Sequence, residues 1–360
     1  MSVNRDLSRQ SVPVHLIEWR TRIYALIGLT ALLIMVAALA TAVGSVRIPL
    51  LTTCRVLASK LPLFHITPYW PDSTETIIFE IRLPRVIMAG LVGSALGTAG
   101  VTYQGLFRNP LADPYLIGVT QGASLGAVIG FLLPATLQIP GGVGIVPFFA
   151  FTGAMISTVT VYSLSRVGKT LPVTTLILAG VALGALLGAI VSYLIISSGE
   201  SIHGIVFWLM GSFSLAQWSD VGMILPYVAV GIGIILLYAR PLNVMQLDEE
   251  QAQQLGINVE RLKLVLLIAA TLITAAAVSF VGTIGFVGII IPHAVRLIWG
   301  ADHRFLLPLS VLSGAIFLIL ADLIARTVQA PAEIPIGVIT ALCGAPFFLY
   351  LLRRRKRVIF

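Results

Sequence analysis

From Pro114 to Ser165 the chain carries no charged residue. No single soluble core helix buries a run of that length, whereas two helices facing lipid absorb it without penalty. The Pro- and Gly-rich stretch Pro134–Gly144 divides the run into two segments, each near the length that crosses a bilayer. The same reading along the chain yields ten apolar segments: 23–43, 86–107, 115–133, 146–165, 174–196, 221–239, 264–282, 284–299, 306–325 and 336–352. The break between the seventh and eighth rests on Gly282–Gly285. The expected fold is therefore an all-α polytopic membrane protein of ten transmembrane helices. It forms one domain over 23–352, after a segment 1–22 and before a basic tail 353–360. A hydrophobic share of 58% and a mean hydropathy of +0.99 agree with that expectation.

An even number of spans leaves both termini on one side. Placing them in the cytoplasm leaves only Arg47, Arg55, Lys60, Arg82, Arg85 and Arg326 of the 23 basic residues outside, as the bias of inner loops toward Lys and Arg requires. The net charge of +8 is confined to short segments, so topology explains it better than nucleic acid, which is not an expected partner. Segment 23–43 has too long an apolar core for a cleaved signal peptide. Cys54 and Cys343 are too few for a disulfide framework or zinc site.

Between the sixth and seventh spans lies Leu247–Lys263, with Asp248, Glu249, Glu250, Glu260, Arg261 and Lys263. Only 11% of all residues are charged, so six in one connection exceed what turning the chain requires. The island has room for a short helix or two and offers a soluble partner something to grip. Glycines recur every fourth residue at Gly118, Gly122, Gly126 and Gly130, and again at Gly180, Gly184 and Gly188. Tight helix packing is the expectation for both rows, with a pore-lining face as the alternative.

Chemistry is scarce. Gly168-Lys169-Thr170 imitates the end of a phosphate loop, but Ser163 stands where the first glycine is needed. No triad, carboxylate pair or metal-spaced cluster stands out, so no catalytic or metal residue is assigned. The spans also lack the buried acids of an ion-coupled secondary transporter, which is the rival class. Asp322 is the clear intramembrane carboxylate, and Arg326 four residues on is its expected partner. A polytopic chain with neither ion coupling nor a nucleotide site must take its energy from another subunit.

The stretch IRLPRVIMAGLVGSALGTAGVTYQGLFRNPLADPYLIGVTQG (81–122) resembles the permease subunit of type II ABC importers, the FecCD family. LILAGVALGALLGAI (176–190), FWLMGSFSLAQW (207–218), 285–326 and EIPIGVITALCGAPFFLYLL (333–352) resemble it as well. The resemblance implies the type II ABC importer permease fold, with ten spans, both termini cytoplasmic, in the inner membrane of a prokaryote. It implies a second permease, a further copy in a homodimer in the first instance with a heterodimer as the alternative, two ATP-binding subunits that hold ATP and Mg, and one extracytoplasmic substrate-binding protein. No cofactor is bound by this chain itself.

Its site residues follow from the same resemblance. Leu247, Asp248, Glu249, Glu250, Gln251, Gln254, Leu255 and Gly256, within coupling helices at 247–258, are expected to meet the ATPase. Asn109, Pro110 and Leu111, with Val173 and Thr174, correspond to a cytoplasmic gate. Arg82, Arg85 and Arg326 are expected to receive acidic side chains of the binding protein. Interfacial snorkelling is the alternative for the first two, and pairing with Asp322 for the third. His293 in Ile291-Pro292-His293 is expected to be structural. The implied cargo is a large metal chelate, an iron–siderophore in the first instance, with cobalamin or haem as alternatives.

Overall fold

The computed structural model describes residues 19–359 except Ser45, 61–66, Pro68, 135–138, Pro140, Gly141 and Lys169, and without the side chains of Leu352 and 354–359. The segment before Trp19, the side chains of most of the basic tail, much of the Pro134–Gly144 connection and the lysine of 168–170 thus lie outside the described residues.

The chain runs as α1 (Trp19–Ala42), α2 (Leu50–Ser59), α3 (Asp72–Thr76), α4 (Leu83–Phe107), α5 (Val119–Leu132), α6 (Ile145–Ser165), α7 (Val173–Ile196) and α8 (Ile202–Leu209). It continues as α9 (Trp218–Leu237), α10 (Ala239–Met245), α11 (Glu249–Gln254), α12 (Val259–Val281), α13 (Val287–Trp299), α14 (His303–Thr327) and α15 (Ile336–Ile359). A helix stands at each of the ten expected positions. Among the described residues, seven helical stretches are long and apolar enough to cross a bilayer: α1, the continuous stretch Asp72–Phe107, α6, α7, α9, α12 and α14.

Of the other three, α5 and α13 are shorter than expected. α5 has 14 residues and α13 has 13, so α13 reaches only about 20 Å at 1.5 Å per residue, against a hydrocarbon core of about 30 Å. The apolar part of α15 is Ile336–Leu351. The physical reason for the first two lies in their approaches. α5 is preceded by a 3-10 turn, Pro114–Ile117, and by Gly118 at φ +81°. α13 follows Gly282 at φ +76° and Phe286 at φ +70°. Irregular backbone of this kind is tolerated inside a membrane protein where other helices cover it, and Pro114, Ile117, Gly118 and Ile284 are all buried.

α4 is the axis of the fold. Nearly every residue from Val92 to Phe107 is buried, and its neighbours include α14, α12, α13 and α9. Two glycine contacts set its distance from them. A Cβ on Gly93 would overlap the carbonyl of Gly314 on α14, and one on Gly100 would overlap the carbonyl of Gly288 on α13. The row on α5 behaves similarly, since Gly122 and Gly126 meet the backbone of Gly153 and Phe149 on α6. The row on α7 does not. Gly180 abuts Leu116, but Gly184 and Gly188 meet only the Gln121 side chain at 3.6 Å.

Gly100→Val is expected to lower the thermal midpoint of the detergent-solubilised chain by about 3 kcal/mol worth of stability or to abolish folding, because the added atoms meet backbone that cannot yield. Gly28→Ala on α1, where a Cβ would meet nothing within 4 Å, is expected to be neutral or slightly stabilising. Fluorescence-detected size exclusion after a heat series compares the two.

Candidate functional site

Several helix ends gather on one face of the bundle. Arg22, at the start of α1, pairs with Asp302 at 3.4 Å, and Asn243 of α10 donates to the same carboxylate at 2.7 Å. Gln246 donates to the carbonyl of Gly105 at the end of α4 at 3.0 Å. Arg304 holds the Asp302 carboxyl well below the usual carboxylate range. The charged island rises from this face.

Its core is α11, closed at both ends by local chemistry. Asp248 is the N-cap and accepts from the Glu249 N–H at 2.8 Å. At the other end the Gly256 N–H donates to Gln253 O at 2.9 Å and the Ile257 N–H to Ala252 O at 3.0 Å, with Gly256 at φ +84°. That is the Schellman arrangement, and it favours glycine at the left-handed residue. Asn258 then caps α12 by accepting from the Arg261 N–H at 3.0 Å. The result is a short, stiff element whose Ala252 alone is buried. Leu247 is 62% and Leu255 65% exposed, and Glu250, Gln251, Gln254 and Gly256 are exposed beside them. Two bare leucines on so polar an element are what a soluble partner can bury.

Both expected gate stretches are tied to this island. Arg108, at φ +48° after α4, donates to Asp248 at 2.8 Å and holds its carboxyl below the ordinary value. Next to it Asn109 accepts from the Leu111 N–H at 2.9 Å, which tightens the turn, while Asn109, Pro110 and Leu111 stay exposed. On the other side Lys263 is 5% exposed and donates to Glu249 at 2.8 Å, to Glu260 at 3.3 Å and to Leu171 O at 3.4 Å. Glu260 in turn accepts from the Leu171 N–H at 3.0 Å. Two residues on, α7 begins at Val173, half-buried, followed by exposed Thr174. Lys263 was not singled out from the sequence as a site residue. Its signal was a lysine in the first turn of an apolar span, three residues after a glutamate.

Asp113 follows the first gate stretch, accepts from the Tyr115 N–H at 2.9 Å, and burial pushes its carboxyl up to about 6.

The opposite face corrects one expectation. Arg82, Arg85 and Arg326 are 4%, 8% and 7% exposed and point into the bundle. The helix begins earlier than the sequence implied: α3 continues through a π-helical segment, Ile77–Arg82, into α4, so Arg82 and Arg85 lie within it. Arg82 donates to Thr41 O at 3.0 Å, Ala42 O at 2.6 Å and Val46 O, and Arg326 donates to Ala40 O. Both thus close the carbonyl end of α1, where a helix favours cations. Arg85 grips Asp322 at 2.8 Å and Glu333 at 2.7 Å. The expected Asp322–Arg326 pair is present at 3.5 Å, but Arg85 is the nearer partner. All three guanidiniums are engaged within the chain. His293 stands among aromatic rings, with Phe347 and Phe348 centred 6.0 and 6.3 Å away.

Comparison with known proteins supplies the context. The model of the FecCD transport family matches residues 31–354. The cobalamin import permease BtuC of Halobacterium salinarum is 49% identical, covering 79% of this chain and 76% of its own. The hemin transport permease HmuU of Yersinia pestis is 42% identical over 80% and 87% of the two chains. The Fe(3+)-citrate import permease YfmE of Bacillus subtilis is 35% identical over 92% and 96%. A solved structure described as an inward-facing conformation of a metal-chelate type ABC transporter superposes with a TM-score of 0.79 at 33% identity, covering 92% and 99%.

Asp322→Asn is expected to cost about 3 kcal/mol, because it removes the charge that two buried guanidiniums share and leaves them Glu333 and the Ala40 carbonyl; thermal unfolding measures it. Replacing the pair together, Arg85→Met with Asp322→Leu, is expected to cost less than the single change. Asp113 has the opposite sign to a salt-bridged acid. Its contribution to stability is greatest below its unfolded value of 3.8 and falls as pH rises toward about 6, and Asp113→Asn is expected to remove that slope from the pH–stability profile.

Proposed function

The chain belongs to the FecCD transport family, and from that premise we propose that it is the membrane permease of an ATP-driven importer for a large metal chelate. It is a multi-pass protein of the cytoplasmic membrane. In the proposed arrangement all ten helices of 23–352 span, both termini are cytoplasmic, and two copies pair around the pathway. A binding protein delivers cargo outside, and two ATPases hydrolyse ATP inside. The permease itself carries out no covalent chemistry and binds no cofactor.

The observation that carries this reading is the island. A doubly capped α11 and its flanks present Leu247, Glu250, Gln251, Gln254 and Leu255 outward; an ion pair holds the island to Arg108, and Lys263, paired with Glu249, donates to the Leu171 carbonyl. We assign that outward surface to the ATPase. Asn109–Leu111 and Val173–Thr174 are proposed as the gate. The binding protein is proposed to dock on the opposite face, with Arg82, Arg85 and Arg326 shaping that face from within.

For cargo, the ferric chelate expected from the sequence is carried forward. Cobalamin is the second reading, because the 49% identical relative is named for it. A competition panel of cyanocobalamin, hemin and ferric chelates, in proteoliposomes holding the full complex and its binding protein, decides between them.

Gly256→Pro removes the N–H that bonds Gln253 and forbids φ +84°. It is expected to weaken ATPase co-purification by about tenfold or more, equivalent to about 1.4 kcal/mol, with uptake falling alongside. Normal co-purification and normal uptake would refute the role assigned to the island.

A further inference from the structure

The grip on Leu171 is unusual in kind. One backbone peptide position is held at both of its polar groups by side chains from a single helix turn. The Leu171 N–H donates to Glu260 Oε2 at 3.0 Å, and its carbonyl accepts from Lys263 Nζ at 3.4 Å. Glu260 and Lys263 are three residues apart on the first turn of α12, so they stand on one face. The same ammonium reaches Glu249 of α11 at 2.8 Å. Three separate segments, the island helix, the first turn of α12 and the strap before α7, therefore meet at one nearly buried charge.

The strap has few other fastenings. The N-cap of α7 is Pro172, which supplies no side-chain cap, and Leu171 is itself buried. Ser165 at the end of α6 and Thr175 in the first turn of α7 bond each other through hydroxyl–carbonyl contacts at 3.3 and 2.9 Å, so they fasten α7 to α6 and leave the strap itself to the grip on Leu171. The exposed Arg108–Asp248 pair, with side chains 40% and 50% exposed, is screened by solvent and is the softer link. Of the two links from the island to the gate stretches, the stiff one is at Leu171.

We propose that Glu260 and Lys263 act as positioning residues that carry displacement of α11 into the N-terminus of α7, so that the gate at Val173–Thr174 follows the island. This rests on the permease reading above and deepens it by naming the linkage. Loss of the linkage should leave the outward surface of α11 free to meet the ATPase, while α7 no longer answers.

The test uses the full chain assembled with its ATP-binding subunits in proteoliposomes. The exposed Cys54 and Cys343 are replaced by serine, and a bimane probe is placed at Thr174→Cys. Addition of ATP and Mg is expected to change the probe's emission. In Lys263→Met and in Glu260→Ala that change should shrink about fivefold or more, with hydrolysis and subunit retention within about twofold of the parent. Lys263→Arg, which keeps the charge, should restore most of the response. An undiminished response in both variants overturns the linkage. A parallel loss of response, hydrolysis and subunit retention overturns it too, because the residues would then serve folding or docking. If Lys263→Met fails to accumulate, Glu260→Ala decides, since its side chain is 34% exposed and its loss leaves no large cavity. A parent complex that binds no ATPase, or shows no ATP response at 174, fails the permease reading itself, and the linkage falls with it.

Discussion

Backbone-to-backbone contact between α4 and its neighbours is the constraint on which the rest of the structure depends. In lipid, an apolar side chain gains little by leaving hydrocarbon for protein, so association must come from close packing and buried polar bonds. Gly93 against Gly314 and Gly100 against Gly288 bring α4 close enough to α14 and α13 for that packing. Once α4 is seated, both of its ends are set. Arg82 and Arg85 fall beside the end of α1 and beside Asp322, and Arg108 falls beside Asp248.

The two faces that result use charge in contrasting ways. On one, three guanidiniums and two carboxylates are drawn inward, and the carbonyls at the end of α1 take up part of the excess positive charge. Breaking such a cluster leaves an uncompensated buried ion, so it acts as a rigid plug whose members depend on one another. On the other face most charges are half in water. Lys263 is nearly buried among them, and it joins α12 to Glu249 and to the Leu171 carbonyl. A face built from solvent-exposed pairs around one buried hub can yield to a partner without unfolding the bundle.

Much of the fold was legible because lipid imposes a length and a composition. All ten expected positions hold helices, and the breaks at Pro134–Gly144 and Gly282–Gly285 fall between described helices. The island was legible as charge out of place, and its two leucines are exposed beside a glycine stop. The α5 glycine row packs as expected, whereas Gly184 and Gly188 do not, because a four-residue spacing says that a face is flat and not what lies against it. The shortness of α13 was hidden as well. Apolar composition continues through Ile284 although the backbone there has left the helix.

By itself, then, the sequence determined that this chain is a bundle of apolar helices with one charged handle, since composition and spacing alone decide what can lie in lipid. Only the tertiary structure decided where the arginines point. In sequence Arg82 and Arg85 stand at the edge of a span, where either water or protein can receive them. The continuous helix from Asp72 turned them inward; the carbonyl end of α1 holds Arg82, and Asp322 and Glu333, some 240 residues away in the chain, hold Arg85. Lys263 is the same lesson on the other face. A charge becomes a joint only when the fold brings a carbonyl such as Leu171's within reach, and no local pattern encodes that meeting.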